Sequence, residues 1–454
     1  MINDFNEALR FEEKSNIFFI QNTDGIYLWD IFRYFVWDKL RYESKPTSIN
    51  LIKNHKVRNL LRIITSINEI LKSFFFFCLN KSKYDTLYFF ASRNQYEGTF
   101  IDQNQFDTYN LFQKQKKLIL ETCDRKKYKF YKEPIHYYGY IRYIFKIFYH
   151  PKLTESDYKT VNTIYGLLKS DFGELNFTEN DLYFLLENFY LDVHLWIKII
   201  DKHNLEKIFL TQNGIQKGIF FAAKKRNIPV YEFQHGIISN AHPAYSYPRI
   251  NGIEKCVHVP YKFLTLSDYW CKSFFCPIQN HTIGNNYFSK PVTKFNNPTK
   301  ILVISANVFG KELALILKEG ILSGVLNAAD LIFKLHPNQY FEKDYYINFF
   351  EGKVTVLTNE KSVNELLGES KCMITVCSTA AYEALQANTR VLVYTISMYR
   401  EMELLFDDEN LFLFSNTEEL KKGLQSNLPE EYEAPVFFEK CTPEKIQNAL
   451  KINE

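Results

Sequence analysis

The 454-residue sequence predicts an α/β protein: two Rossmann-like, doubly wound parallel-sheet domains preceded by a helical extension. Three observations lead there. The length exceeds one ordinary domain, and two domains of roughly 150 to 250 residues each account for it. From about residue 205, short apolar strands alternate with helical stretches. After a polar segment carrying two prolines, the alternation starts again. Strands that alternate with helices imply parallel βαβ units.

In chain order, residues 1–80 read mainly as helices, as in "GIYLWDIFRYFVWDKLRY". The run "KYDTLYFFAS", residues 83–92, is short, apolar and bounded by polar residues, which predicts a buried strand. Residues 105–205 read as largely helical. "KIFLTQNG" is then strand and turn, "IQKGIFFAAKKRN" a helix, "IPVYEFQHG" a strand, and "KFLTLSDYWCKSFF" strand followed by helix, with "HTIGNNYF" closing this half. "SKPVTKFNNPTK", residues 289–300, has no apolar period and supplies the linker, set at 291–300. The second set runs "ILVISAN", "KELALILKEGILSGVL", "LIFKLHPN", "VTVLTN", "SVNELLGES", "CMITVCST", "AAYEALQAN", "RVLVYT". Such β-branched strands require helices on both faces. The expected domains are therefore 1–290, with 1–80 helical and a Rossmann-like core at about 83–288, then 301–430, then a helical tail at 431–454. Ligands of these sheets bind at the carboxyl ends of the strands, so a cleft between the two domains is the expected site.

Hydrophobic content of 46% and charged content of 24% exclude a disordered chain. A net charge of +3 excludes a whole-protein polyanion-binding argument. Locally, residues 114–152 carry eleven Lys or Arg against three acids, interleaved with Tyr and Phe. That stretch suits anionic lipid headgroups or an anionic acceptor, or is a solvated basic face. No nucleic-acid-binding motif accompanies it, so nucleic acid is not an expected partner. Eight cysteines are scattered without a CxxC pair; Cys271/Cys276 and Cys372/Cys377 are the closest pairs, and reduced, buried thiols of a cytoplasmic protein account for them. The N-terminus carries no signal-peptide pattern. "SFFFFCLN" is too short to span a bilayer. The helix containing it, "LLRIITSINEILKSFFFFCL", either packs in the core or attaches peripherally to the inner face of the cytoplasmic membrane.

Three clusters stand just past a strand. The first is Gln234-His235-Gly236, followed by His242 and Tyr245 in "VYEFQHGIISNAHPAY". Gly236 permits close backbone approach or positive φ. Histidine is the side chain whose ordinary pKa lies near neutrality, so His235 is either a general base for a sugar hydroxyl or a hydrogen-bonded turn residue. The second is His336-Pro337 in "FKLHPN", a donor to a diphosphate or ribose, or a satisfied core histidine. The third is "VCSTAAYEAL", where Ser378, Thr379 and the free N–H groups of a helix start offer a phosphate site, or simply a capped helix, with Glu383 one turn in.

Taken as a set over residues 205–400, "QHG", "KLHPN" and "VCSTAAYEAL…VLVYT" resemble bacterial GT-B glycosyltransferases of capsule and lipopolysaccharide assembly. The motifs are similar to those of polysialyltransferases, capsule Kdo transferases and teichoic-acid glycerophosphotransferases. The resemblance implies a GT-B-like fold whose second domain binds the donor: His336 and Pro337 hold the nucleotide, Ser378 and Thr379 its phosphate, and Glu383 the ribose. Gln234, Gly236 and His242 would then line the substrate. His235 matches the histidine of a Trp-His-Gly motif in the glycerophosphotransferases, with Gln234 in place of the Trp. The sialyl and Kdo families instead use an acid near the first strand, where "SRNQYEGTFID" offers Glu97 and Asp102; Glu97 is the second candidate base.

Retaining enzymes of the GT-B group carry two glutamates about eight residues apart, and Glu383 has no such partner, so the resemblance implies inversion; the Asp-x-Asp cluster of the other major transferase fold is also missing after every strand, so no metal or other cofactor is expected. Lys311, Lys334 and Arg390 are the cations available to offset the leaving phosphate. The expected function is an inverting, metal-independent transfer of a sugar from a nucleotide sugar, a CMP-sugar first, to an oligosaccharide or lipid-linked saccharide acceptor in capsule or O-antigen synthesis. The alternatives are a CDP-polyol-dependent polyol-phosphate transferase, a nucleotide-sugar epimerase, and a membrane-associated assembly factor without turnover.

Overall fold

Strand order defines the architecture. The computed structural model describes residues 5–41, 58–92, 94–96, 98–122, 130–212, 214, 216–272, 274–306, 308–396, 399–426 and 432–451, with backbone alone for 58–66 and 94–96. Its strands are β1 (Thr86–Phe90), β2 (Asn94–Tyr96), β3 (Thr99–Ile101), β4 (Lys117–Glu121), β5 (Ile135–Tyr137), β6 (Lys207–Thr211), β7 (Val230–Phe233), β8 (Lys262–Thr265) and β9 (Gln279–Thr282), then β10 (Lys300–Ile304), β11 (Leu331–Lys334), β12 (Thr355–Leu357), β13 (Ser370–Thr375), β14 (Arg390–Tyr394) and β15 (Leu411–Phe414). The first sheet has the order β5-β4-β1-β6-β7-β8-β9 and the second β12-β11-β10-β13-β14-β15; β2 and β3 form a separate antiparallel hairpin.

From β5 to β8, and throughout the second sheet, neighbouring strands pair in parallel. Counted within its own sheet, each begins in the middle, adds strands to one side, then reverses and adds them to the other. That is doubly wound, Rossmann-like winding. The reversal falls between β1 and β6 in one sheet and between β10 and β13 in the other. The fold is thus the expected α/β class: two doubly wound parallel sheets with a helical N-terminal region.

Alternation along β10 shows why a parallel sheet must be covered twice. Ile301 and Val303 join one core cluster with Phe333 and Leu317, while Leu302 and Ile304 join another with Ile332 and Leu385. On the first sheet, Leu87, Leu118 and Ile208 pack under the helices Tyr138–Phe148 and Glu179–His203. Its other face is aromatic, with Tyr88 beside Phe90 and Phe209.

The reading of 105–205 as largely helical is corrected at two places. "KLILE" and "IHY" are β4 and β5 of the first sheet. All five residues of β4 are buried, and a fully buried five-residue run has no amphipathic period to reveal its type. The strand "LFLF", β15, was likewise not among the expected elements.

Two densely packed units divide the chain. One comprises Met1–His235, Asn240–Leu264 and Phe274–His281; the other Gly236–Ser239, Thr265–Ser273 and Thr282–Glu454. In the first, helices Phe5–Ser15 and Trp29–Arg41 meet around Glu12, which accepts from the Trp29 and Trp37 indoles and pairs with Arg33 at 2.6 Å. Arg33 also donates to the carbonyls of Pro243 and Ser246, and Arg41 to that of Ala241 at 2.8 Å. The helical extension therefore holds the strap that follows the first motif. In the second unit, Phe437 and Phe438 are buried in the core, and a helix runs from Pro443 to Leu450. Seven described cysteines are free thiols. Of the basic stretch 114–152, residues 123–129 lie outside the described residues.

Candidate functional site

In the second unit, β13 ends at Thr375 on the reversal point of its sheet, and the chain turns through Val376-Cys377-Ser378-Thr379 into the short helix Ala380–Gln386. Outside the carboxyl ends of such strands, at the reversal, is where open α/β sheets bind ligands. The Ser378 hydroxyl accepts from Ala380 N at 3.2 Å, and its carbonyl from Ala381 N at 3.0 Å. The Thr379 side chain makes no cap bond to the helix. Instead Thr379 Oγ1 faces Gly236, where an added Cβ would come within 3.2 Å of it. A side chain at 236 would require the Thr379 hydroxyl to give by a few tenths of an ångström. Burial alone pushes the Glu383 carboxyl up to about 8, so it is largely neutral near pH 7; its charge bears on Tyr287.

His336 follows β11, one strand to the other side of β10. It caps the 3-10 helix Pro337–Glu342, its Nδ1 accepting from Asn338 N at 3.2 Å, so the proton of the neutral ring sits on Nε2. Beneath it lies a closed buried network. Ser305, directly after β10, donates to Gln339 Oε1 at 2.7 Å, and Gln339 Nε2 donates to the Tyr346 hydroxyl at 3.3 Å. Gly310 opens the helix Gly310–Leu322 against this network; a Cβ there would lie 2.4 Å from Gln339 Nε2 and 2.6 Å from Ser305 Oγ. Adjacent strands are about 4.8 Å apart, so the ends of β11 and β13 are separated by roughly 10 Å.

In the first unit, His235 follows β7 and its ring lies 6.1 Å from that of His242 and 6.2 Å from that of Tyr245. His242 is held well below the usual histidine range, first by burial and then by the positive fields of His235 and Arg41. Its Nδ1 accepts from Ala244 N at 3.2 Å and its carbonyl from Tyr245 N and Ser246 N, so it organises the strap's turn as a neutral ring. Gln234 is buried, its N–H donating to Leu264 O at 2.9 Å.

Glu232, on β7 itself, is fully buried, and burial pushes its carboxyl up to about 8. The Tyr245 hydroxyl oxygen lies 2.5 Å from Glu232 Oε1 and 2.8 Å from the Gln212 carbonyl oxygen. A hydroxyl has one proton, and a carbonyl can only accept. Tyr245 therefore donates to Gln212, and a protonated Glu232 donates to Tyr245. Glu232 Oε2 is buried with no hydrogen-bond partner among the described residues, which an uncharged acid tolerates far better than a carboxylate.

Glu97 lies outside the described residues. Asp102, the other acid of that loop, is buried and spent on it: its carboxylate accepts from Ala91 N at 2.9 Å, Asn104 N at 3.0 Å and Gln105 Nε2 at 3.0 Å. Glu121, ending β4, accepts from Ser92 N at 3.2 Å. Both secure the loop after β1. Among the expected cations, Lys334 donates to the carbonyls of Thr358 and Lys361, each at 2.7 Å, and Arg390 to that of Ser426. Lys311 is exposed and 3.9 Å from Glu342. Among the described residues, no group of three or more His, Cys, Asp or Glu is placed to hold a metal ion.

Glu232, Ser305 and Gln339 were not singled out in the sequence. Glu232 had a signal, an acid inside the apolar run "VYEF". Ser305 had only its position after "ILVI".

Comparison with known proteins adds one finding about the second unit. No curated protein matches the chain. Among solved structures, UDP-GlcNAc 2-epimerase from Methanocaldococcus jannaschii in complex with UDP-GlcNAc and UDP is similar at 13% identity with a TM-score of 0.46, covering 81% of this chain and 99% of that one. Acinetobacter baumannii MurG is similar at 10% identity and a TM-score of 0.42, covering 74% and 89%. S. aureus MnaA with UDP is similar at 12% and 0.41, covering 75% and 87%. The fold assignment rests on the strand order rather than on likenesses this distant. Residues 311–430, about a quarter of the chain, match the family model described as capsule polysaccharide biosynthesis protein, and that stretch contains His336, Ser378, Thr379 and Glu383.

Proposed function

We propose that the chain is an inverting, metal-independent glycosyltransferase of bacterial surface-polysaccharide synthesis, taking a nucleotide sugar as donor and a saccharide as acceptor. The observation that carries this reading is the approach of Gly236 to Thr379 within one unit. His235 immediately precedes Gly236 in the chain and is the base assigned here. The match of residues 311–430 to the capsule polysaccharide model supports the same assignment.

In this reading Ser378 and Thr379 donate to the donor's phosphate, and His336 donates through Nε2 to the nucleotide. His235 takes the proton of an acceptor hydroxyl as its oxygen attacks the anomeric carbon. The bond from that carbon to the phosphate oxygen breaks on the opposite face, and the nucleotide leaves with the electron pair. A neutral Glu383 can donate to a ribose hydroxyl or accept from one. Hydrogen-bond donors aimed at the leaving phosphate supply the stabilisation a metal would otherwise give.

A thermal-shift screen with CMP, CDP, UDP, GDP and dTDP tests the donor half. A ligand of the native state raises the melting temperature, and one nucleotide, a cytidine nucleotide by the family resemblance, should do so without added metal. Absence of a shift with all five, or a shift that appears only with Mg²⁺ and vanishes in EDTA, would overturn the proposal.

A further inference from the structure

Helix Arg58–Leu79 carries two apolar faces where a core helix needs one. Phe76 and Phe77 are buried in the core of the first unit. Leu71, Phe75 and Leu79, spaced i, i+4, i+8, line a different face and are 50–63% exposed, with Phe74 beside them. The neighbouring helix Tyr138–Phe148 repeats the pattern. Its Ile141, Ile144 and Phe145 are buried, Phe145 meeting Phe77 edge-on at 5.8 Å, while Tyr143, Ile147 and Phe148 are 56–71% exposed. Where the first helix meets β5, a hollow of about 560 Å³ is lined by Lys72, Phe75, Phe76, Pro134, Ile135 and His136.

Single exposed apolar side chains are ordinary, but a row of large ones on two packed helices marks an interaction surface. The charge around it selects the partner. Lys72, Lys81, Lys83, Lys146, Lys152 and Lys198 are all exposed on or beside these helices. A second copy of this chain would bring the same lysines against themselves; an anionic bilayer complements them. None of the helices among the described residues is long and apolar enough to cross a membrane, so the fitting geometry is a helix pair lying in the interface.

We propose that the joint exposed face of helices Arg58–Leu79 and Tyr138–Phe148 docks the chain on an anionic lipid surface. Leu71, Phe75, Leu79, Ile147 and Phe148 enter the boundary between headgroups and acyl chains, and the surrounding lysines meet the lipid phosphates. Neither the sugar chemistry nor the donor enters this inference.

Co-sedimentation of the full chain with phosphatidylcholine vesicles, with and without phosphatidylglycerol, tests it. The chain should pellet with the anionic vesicles, with binding reduced about tenfold or more at high salt. Phe75→Ser/Leu79→Ser/Phe148→Ser should weaken binding at least about tenfold at an unchanged melting temperature, because all three side chains are exposed. Lys72→Gln/Lys146→Gln, which leaves the apolar face intact, should weaken it severalfold and tests the charges should the serine variant misfold. Equal binding to neutral vesicles, or undiminished binding by both variants, would overturn the proposal. So would a chain that ignores vesicles but forms a dimer which the serine variant dissociates, because the face would then be a self-association surface.

Discussion

The two sheets share a winding order but end in opposite chemistry. At and beyond the carboxyl ends of the first sheet stand acids: Glu121 closing β4, Glu232 in β7 and Asp102 in the loop after β1, all buried. At the corresponding ends of the second stand hydroxyls, an amide and an imidazole: Ser305, Thr375, Ser378, Thr379, Gln339 and His336. The hydroxyls, amide and imidazole of the second set can hydrogen-bond a phosphate. The buried Asp102 and Glu121 of the first set hold the loop after β1. In the proposed function one winding serves two ligands of different charge, and the side chains at the strand ends decide which. The difference also extends to the supporting structure. The second unit stiffens its strand ends with the neutral Ser305–Gln339–Tyr346 network, whereas the first uses ion pairs such as Arg33–Glu12 to hold the strap over β7.

The sharpest way to break this division of labour is at His235. If it is the base, His235→Ala should lower kcat by about 10²- to 10⁴-fold, the usual contribution of general-base catalysis, while the nucleotide-induced melting shift stays as in the parent. Turnover that survives this change but disappears in Glu97→Gln would move the base to the loop after β1. A smaller effect is expected on the other side. Ser378→Ala/Thr379→Val removes two hydroxyl donors to a charged phosphate, each bond worth about 1.5–3 kcal/mol, so nucleotide affinity should fall at least about tenfold by calorimetry. A double variant that binds the nucleotide as the parent does, yet shows a raised KM for acceptor, would reverse the assignment of the two sheets.

How far the sequence could be read depended on whether a residue's meaning was local. Ser378 and Thr379 interrupt an apolar strand just before a helix, and His336 is followed by the proline that begins a 3-10 turn; both signals lie within a few residues. The doubly wound class was legible for the same reason, because alternation is a short-range pattern. β4 was not, since a five-residue buried run looks alike in strand and helix until its sheet partner is known. The Glu232–Tyr245 pairing spans a thirteen-residue strap whose path is set by Arg33 and Arg41, far away in sequence. The closeness of Gly236 to Thr379 likewise joins residues far apart in sequence.

The smallest expected effect concerns Glu232 and tests whether the first sheet's acid is neutral. Its folded value of about 8 stands above an unfolded glutamate value near 4.3. Between those values the native chain keeps a proton that the unfolded chain has lost. The contribution of Glu232 to stability is therefore fully present at low pH and declines as pH rises towards about 8, levelling off beyond it. Glu232→Gln is close in shape to the protonated acid and can still donate to Tyr245, but it ionises in neither state. Parent and variant should melt together near the low end of that window. At its upper end the variant should be the more stable, by an amount on the order of a few kcal/mol at most. Glu383, raised in the same direction, leaves a residual slope in both proteins. Thermal melts of the two proteins across the window decide the matter. A variant that is less stable than the parent at the alkaline end would mean that Glu232 is charged in the folded chain, with Tyr245 donating its one proton to Glu232 instead of to Gln212.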